Sequence, residues 1–184
     1  NSLQENLDFC FRLEEASGAV RYDDIARYEA NPSPTGRVGA RPGRFGTAAK
    51  TNLATLEYLT SPHRPAYGVS GSTTLAVLFY PDSWPEVQVG LMSKGSNEWS
   101  LYRQNSGVSG IAFSLQTQSG IDVTIYTGVS PVTGAWHLAV AWYNKALSGI
   151  YLQVDNGTVV SGSFTGVPRV SNGALQIGYH GSDK

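Results

Sequence analysis

The feature that most constrains this chain is a two-residue alternation of apolar and polar side chains that recurs in short runs from Thr73 onward. Runs in which every second residue is apolar are typical of β-strands with one buried face. The alternating series span residues 75–79, 87–91, 99–103, 111–115, 121–125, 136–142, 150–154 and 175–179. In the 136–142 series, the pattern assigns Trp136, Leu138, Val140 and Trp142 to the core and Tyr143 to the opposite face.

Turn signals separate nearly all of these runs. Asn156-Gly157 lies between two of them and Asn172-Gly173 precedes the last, and Asn-Gly tolerates the positive φ that tight hairpins require. No run has the period of an amphipathic helix. Many short strands at this spacing predict an all-β antiparallel sandwich or barrel.

Composition limits the partners of such a domain. The 184 residues carry 13 basic and 14 acidic side chains, and they show none of the basic stripes that nucleic-acid binding depends on. No apolar run approaches the ~20 residues of a membrane span. Charged residues make up 15% against a typical ~25%, so the surface is rich in hydroxyls and amides and suits a neutral, hydroxyl-rich ligand. Cys10 is the single cysteine, so we expect it to be a small buried side chain and not part of an intrachain disulfide or a CxxC metal site.

Several motifs, in order, resemble laminin G-like modules of the concanavalin A-like jelly-roll family. The matching segments are 6–18, a loose Gly-rich slot within 36–48, Thr74 to Pro81, Ser93 to Leu101, Gly134 to Val140, Leu152 to Gly157 and Leu175 to Gly178. The sequences of residues 140–143 and 153–159 resemble those of the bacterial and phage members of this family. Phe9 to Phe11 and Leu78-Phe79 stand where the family usually carries tryptophan, which is typical of a divergent member.

The resemblance implies an all-β, antiparallel, two-sheet jelly-roll sandwich, with residues 1–184 as one domain. Family members continue past the Leu-x-Ile-Gly motif with one more strand. We therefore expect that the domain lacks its closing C-terminal strand and belongs to a longer polypeptide. The resemblance also implies an extracellular or virion-associated protein.

Catalytic signatures of this fold are missing from the sequence. Retaining glycosidases need two carboxylates about 5–5.5 Å apart, which on a strand means acids two or four residues apart. Glu98 and Asp122 have no acidic neighbour at those offsets, and the adjacent Asp23 and Asp24 would diverge in an extended chain. We therefore expect no enzyme activity. The alternative is a Ser-His-Asp triad assembled from distant segments, with His63, His137 or His180 as its histidine.

Candidate ligand-binding residues lie on the strand positions opposite the apolar series, with one more, Trp84, in a loop. A sugar stacks its C–H face on an aromatic ring and bonds to polar groups through its hydroxyls, so aromatic and polar side chains close together suit a sugar ligand. The alternative is that these tyrosines only cover the sheet, because tyrosine is common in β-strands. The candidates are Tyr80, Trp84, Glu98, Tyr102, Asp122, Tyr126, Tyr151 and Gln153. Trp84 lies in a Pro-bounded loop and is either a plug over the core or an exposed anchor, whereas Trp99 is expected in the core.

Calcium is a further expectation, because related modules often bind it through an Asp after the opening Ser-Gly. Asp23 and Asp24 are the residues at that place, and Ca²⁺ takes six to eight oxygen ligands. The alternative is that Asp23 and Asp24 are solvent-exposed acidic residues of a turn and bind no metal.

Three functions remain open at this point. The first is a non-catalytic adhesion module that recognises a carbohydrate or a cell surface. The second is a structural or assembly domain that contacts other subunits of a phage tail fibre, a capsid or another extracellular assembly. The third, less favoured, is a diverged glycoside hydrolase or lyase.

Overall fold

A computed structural model describes residues 9–22, 28–32, 38–85, 87–95, 98–104 and 109–179 of the chain. Within these ranges the regular structure is almost all β. The strands are β1 Arg21–Tyr22, β2 Glu29–Pro32, β3 Gly39–Pro42, β4 Thr47–Lys50, β5 Leu59–Ser61, β6 Thr73–Phe79, β7 Val89–Lys94, β8 Trp99–Gln104, β9 Gly110–Gln116, β10 Asp122–Tyr126, β11 His137–Asn144, β12 Gly149–Val154, β13 Val160–Ser163 and β14 Leu175–Ile177. Two short 3-10 helices span Leu53–Thr55 and Pro65–Tyr67. In the described ranges, no helix has the length and apolar character needed to cross a membrane.

Two antiparallel sheets form the body of the domain. The large sheet has eight strands in the order β1-β2-β5-β14-β7-β8-β9-β10, and the small sheet has four in the order β13-β12-β11-β6. Strands β3 and β4 form a separate hairpin. This architecture confirms the predicted all-β antiparallel jelly-roll sandwich.

The core lies between the inner faces of the two sheets. The large sheet contributes bulky side chains such as Trp99, Leu101 and Phe113, each at most 1% exposed. The small sheet contributes Leu75 from β6 and Leu152 from β12. The alternation therefore predicted the buried face of β6, β8, β9 and β12 correctly, and Trp99 is in the core as expected.

Strand β11 faces the opposite way from the prediction. Its buried residues are His137, Ala139, Ala141 and Tyr143, so Leu138, Val140 and Trp142 lie on the outer face and the expectation that they form the core is wrong. The physical reason is volume. A protein interior is close-packed, and the bulky inner side chains of the large sheet leave room for the two alanines, each 0% exposed.

The small sheet covers only part of the large one. Contacts between the sheets join β6 to β7, β12 to β9 and β10, and β13 to β10. On the other side of β7, the β3–β4 region packs over the large sheet through a second buried cluster, Ala30, Val38 and Leu59, with Ala49 of β4 and Ile177 of β14 against it.

Candidate binding face

The outer face of the large sheet carries a row of uncharged polar side chains that crosses seven neighbouring strands. Each member is the direct cross-strand partner of the next. We call this set the polar row: Asn31, Thr60, Gln176, Ser93, Ser100, Ser114 and Thr124. Side chains alternate between sheet faces, and the intervening residues of these strands, such as Leu59 and Leu175, lie in the interior, which places the row on the outer face.

The middle of the polar row is deeper than its ends. Ser93 and Ser100 are 3% and 5% exposed, whereas Ser114 and Thr124 are partly exposed. The Thr124 hydroxyl donates to Ser114 Oγ at 3.0 Å, and Ser93 Oγ donates to the carbonyl oxygen of Tyr179 at 3.1 Å. The groups that the row offers to a ligand are therefore the hydroxyls and amides on either side of this buried middle, which can donate and accept hydrogen bonds.

A second row, next to the polar row, places two tyrosines beside small residues. Tyr102 and Tyr126 flank Ala112, and Gly90 lies on the other side of Tyr102. Tyr102 is 6% exposed and Tyr126 is partly exposed. Burial, together with the neighbouring Tyr126 hydroxyl, raises the pKa of Tyr102 to about 12, so the phenol stays neutral at physiological pH. The ring that a ligand can reach is therefore that of Tyr126.

A polar cluster lies at one end of this face. Gln116 Nε2 donates to Asp122 Oδ1 at 2.9 Å, and the Arg169 guanidinium donates to Gln116 Oε1. One carboxylate and one guanidinium balance each other there, so the cluster adds directional hydrogen-bonding groups without a net charge.

The structure brings only three of the predicted ligand residues onto this face: Tyr102, Asp122 and Tyr126. Tyr151 and Gln153 lie on the outer face of the small sheet. Tyr80 directly follows β6 and packs edge-to-face on Trp136 at 5.5 Å. The predicted set is therefore divided between the two outer surfaces of the sandwich.

The aromatic pair on the small sheet presents its edges, not its faces. Trp142 and Tyr151 are cross-strand partners, and their rings lie 5.1 Å apart with only 9° between their planes. Rings stacked in this way on adjacent strands stand upright from the sheet. They cannot form the flat plate on which the C–H face of a sugar ring would stack, so this surface is the weaker candidate.

Trp84 closes one end of the sandwich. Its indole N–H donates to the Pro131 carbonyl oxygen at 2.7 Å, and its ring packs on Phe79 with centroids 6.2 Å apart. The Arg103 guanidinium lies over the Trp84 ring, 5.6 Å from its centroid. Of the two roles considered for Trp84, these contacts favour a side chain that covers the end of the core over an exposed contact for a ligand.

Glu98 lies in the interior, so the expectation that it faces a ligand is wrong. It is 0% exposed and pairs with the equally buried Lys94 across the β7–β8 hairpin at 3.2 Å. Glu98 Oε2 also accepts from the backbone N–H and the hydroxyl of Ser171 at 2.9 and 2.7 Å. Lys94 donates to the carbonyl oxygens of Ser171 and Gly173 at 3.1 and 2.7 Å. This buried pair anchors the loop that leads into β14, which carries Gln176 of the polar row.

His137 is engaged at both ring nitrogens. Nδ1 lies 2.8 Å from Asp155 Oδ2, and Nε2 lies 2.9 Å from the carbonyl oxygen of Val132. Asp155 also accepts from the Leu138 N–H at 2.9 Å. Partial burial of the Asp155 carboxyl opposes ionisation, but the hydrogen bonds from His137 and Leu138 outweigh it and hold its pKa below the ordinary value. These contacts tie the β12–β13 turn to β11, which is a structural role.

The calcium hypothesis is not tested by these contacts. Asp23 and Asp24 lie outside the described residues. Within the described ranges, no group of three or more His, Cys, Asp or Glu side chains could hold a metal ion. Calcium binding therefore stays a prediction.

The sequence-based prediction included no member of the polar row. It selected aromatic and acidic residues and Gln153, whereas the row consists of Ser, Thr, Asn and Gln. A signal was present, because Ser100, Ser114 and Thr124 each occupy the strand position between two apolar residues. Only the strand order could show that they form one line.

The antiparallel sandwich, with one outer sheet face given to neutral polar groups, defines a jelly-roll domain of the lectin-like class. The chain belongs to the concanavalin A-like lectin/glucanase superfamily, whose laminin G-like family model matches residues 54–184. A search of curated proteins returned no significant match.

Solved structures share the fold at low sequence identity. The binding domain of Paraclostridial Mosquitocidal Protein 1 superposes with a TM-score of 0.74 at 14% identity, covering 99% of this chain and 46% of that one. The botulinum neurotoxin serotype D binding domain gives 0.58 at 13% identity, covering 97% and 44%. Domain 4 of AbnA, an extracellular arabinanase from Geobacillus stearothermophilus, gives 0.53 at 15% identity, covering 89% and 84%. The chain thus spans less than half the length of the two toxin domains.

Proposed function

We propose that this chain is a non-catalytic binding module that holds a neutral glycan, displayed on a cell surface or free, across the outer face of the large sheet. The observation that carries the proposal is the polar row. It crosses seven strands without a charged side chain, and the accessible ring of Tyr126 lies beside it. A module with this task works outside the cell or on a virion.

The dimensions of the row favour an extended oligosaccharide over a single sugar. Neighbouring strands lie about 4.8 Å apart, so seven strands span roughly 29 Å along the row. A chain of sugars that crosses the strands would meet a partly exposed hydroxyl or amide on five of the seven strands, with the buried Ser93 and Ser100 between them. Tyr126 adds an apolar surface with a polar tip, which can take the C–H face of one sugar.

Two of the solved structures support this proposal. The structure of AbnA domain 4 is a complex with arabinotriose, and the mosquitocidal protein structure is described as a binding domain. Both support a carbohydrate or cell-surface ligand for a domain of this shape. The site on this chain is argued from its own residues.

The test is a glycan array followed by calorimetry with the best neutral oligosaccharide, using arabinotriose as a further ligand. Tyr126→Ala should weaken binding about tenfold or more, equivalent to about 1.4 kcal/mol. Tyr151→Ala is the matched control, since it removes a partly exposed tyrosine from the other sheet and should leave affinity within about twofold.

Two results would contradict the proposal. An array without any glycan signal would exclude carbohydrate as the ligand. Loss of affinity in Tyr151→Ala with none in Tyr126→Ala would move the site to the small sheet.

Assembly with neighbouring subunits of a fibre or virion is the second candidate function, and one observation favours it. Leu78 and Leu138 are cross-strand partners on the outer face of the small sheet and are 45% and 41% exposed. Contiguous exposed apolar surface often marks a protein contact. Light scattering of the chain at rising concentration tests this: an oligomer that Leu138→Lys dissociates would support it, and a monomer at all concentrations would exclude self-assembly.

A further inference from the structure

In the part of the chain that the structure describes, the small sheet ends in an edge strand without the usual protection. β6 pairs with β11 on one side, and no strand in the described ranges pairs with its other side. Its seven residues, Thr-Thr-Leu-Ala-Val-Leu-Phe, include no charge, glycine or proline. Natural proteins protect long edge strands with charges, prolines or bulges, because exposed backbone N–H and C=O groups invite pairing.

The opposite edge of the same sheet shows the usual protection. β13 has four residues, Val-Ser-Gly-Ser, and is therefore short, polar and weakened by a glycine. The contrast within one sheet indicates that β6 is not kept as a free edge in the functional state.

An apolar gap lies directly beside β6. A cavity of about 740 Å³ has β6 on one side and β4 with the residues after it on the other, over β7 and β14. Its apolar lining includes Val77, Phe79, Leu91, Ile177 and Ala49. Val77, Leu91 and Ile177 pack against the core yet remain partly exposed, because the small sheet stops at β6. The gap thus offers apolar contacts where the next strand of the sheet would lie.

Among the described residues at the mouth of the gap, positive charges outnumber negative ones. Asp82 Oδ1 accepts from Arg41 at 2.7 Å, and its other oxygen lies 3.5 Å from Lys50 Nζ. One carboxylate thus faces two cations, and all three residues line the gap. An acidic group on an incoming segment would complete this cluster.

We propose that β6 accepts a β-strand from another polypeptide. The donated strand pairs with the free edge of β6 through main-chain hydrogen bonds. Its alternate side chains are apolar and enter the gap, and an acidic residue lies at the end next to Arg41 and Lys50. Strand addition of this kind takes affinity from the main chain and specificity from pockets for alternate side chains. The proposal is independent of glycan binding, which uses the outer face of the large sheet.

The first test is amide hydrogen exchange of the chain alone. Amides on the free side of β6 should exchange much faster than those of β11. If they are as slow as the β11 amides, residues of this same chain already cover the edge, and the proposal is overturned.

The second test adds a probe peptide to the same sample. The probe is a seven-residue peptide, the length of β6, with valine at alternate positions, threonine between them and aspartate at one end. It should slow exchange in β6 and bind with saturable affinity. A control peptide of the same length with proline at its central position should not, because proline cannot donate to the ladder. Equal effects of the two peptides, or no effect of either, would refute strand addition.

Two tryptophan variants locate the peptide. Ala49→Trp fills the gap from the hairpin side and should reduce probe affinity at least tenfold. Ala146→Trp adds the same ring at an exposed loop position and should leave affinity unchanged. Glycan affinity should be the same in both variants, which separates a failure of this proposal from a failure of the proposed function.

Discussion

The buried pair of Lys94 and Glu98 gives the sharpest prediction, since the sequence suggested a ligand role and the structure shows an internal one. Glu98→Gln keeps the shape of the side chain and an oxygen for the Ser171 N–H. It removes the negative charge that faces Lys94 at 3.2 Å. The ammonium group of Lys94, at 0% exposure, then has only neutral acceptors, which are two backbone carbonyl oxygens and the amide oxygen that replaces the carboxylate.

The expected cost follows from that burial. Removing one partner of a buried ion pair leaves an uncompensated charge and costs about 3–5 kcal/mol. For a domain of this length, 1 kcal/mol shifts the midpoint of thermal unfolding by about 2–4 °C, so Glu98→Gln should lower Tm by roughly 6–20 °C. Adding Lys94→Met to this variant removes the stranded charge. The double variant should therefore recover part of the loss, with a coupling energy of about 0.5–3 kcal/mol.

The assay is a double-mutant cycle in urea and by calorimetry, combined with glycan titration of each folded variant. Glycan affinity should be unchanged in Glu98→Gln, because the side chain does not reach the outer face. If the two single losses simply add in the double variant, the pair has no net interaction and the reasoning fails. If glycan affinity falls in Glu98→Gln while its Tm stays unchanged, Glu98 contacts the ligand and the internal role is wrong.

Two further predictions concern close backbone contacts and pH. A Cβ at Gly173 would lie 2.2 Å from Gly95 Cα, so Gly173→Ala should destabilise the fold by about 1–3 kcal/mol as overpacking does. Gly71→Ala, with nothing within 4 Å of its Cβ, should be nearly neutral in the same urea titration, and equal losses would contradict the clash. The lowered pKa of Asp155 means that its contribution is present above the ordinary aspartate pKa of about 3.9 and is lost as pH falls below it. Asp155→Asn should therefore flatten the fall of Tm below about pH 4, and an unchanged pH profile would refute the role of this carboxylate.

The sequence predicted most strands from β6 onward but not always their orientation, and its alternation did not reveal β1 to β5. Alternation finds a strand because one face is apolar, and this was sufficient for β6, where Leu75 and Phe79 are buried. It fails where small residues are buried and larger ones lie outside. In β11 the interior takes Ala139 and Ala141 because their neighbours across the core are large, and a single strand carries no information about those neighbours. The order of strands in the two sheets is likewise absent from local patterns.

The candidate site could not be predicted for the same reason, namely that local patterns do not show which strands are neighbours. A binding face on a sandwich is made of residues that share a row, and a row joins strands that are far apart in the chain. Ser93 and Gln176 are cross-strand partners that lie far apart in the sequence, separated by almost half the length of the chain, so no local motif can contain both. The sequence pointed to tyrosines because a single tyrosine on a strand is already a candidate ligand contact. Ser and Thr residues become candidates only when the strand order shows that they lie next to one another in a row. A jelly roll can therefore keep its apolar alternation, and hence its fold, while its outer row changes to suit another ligand.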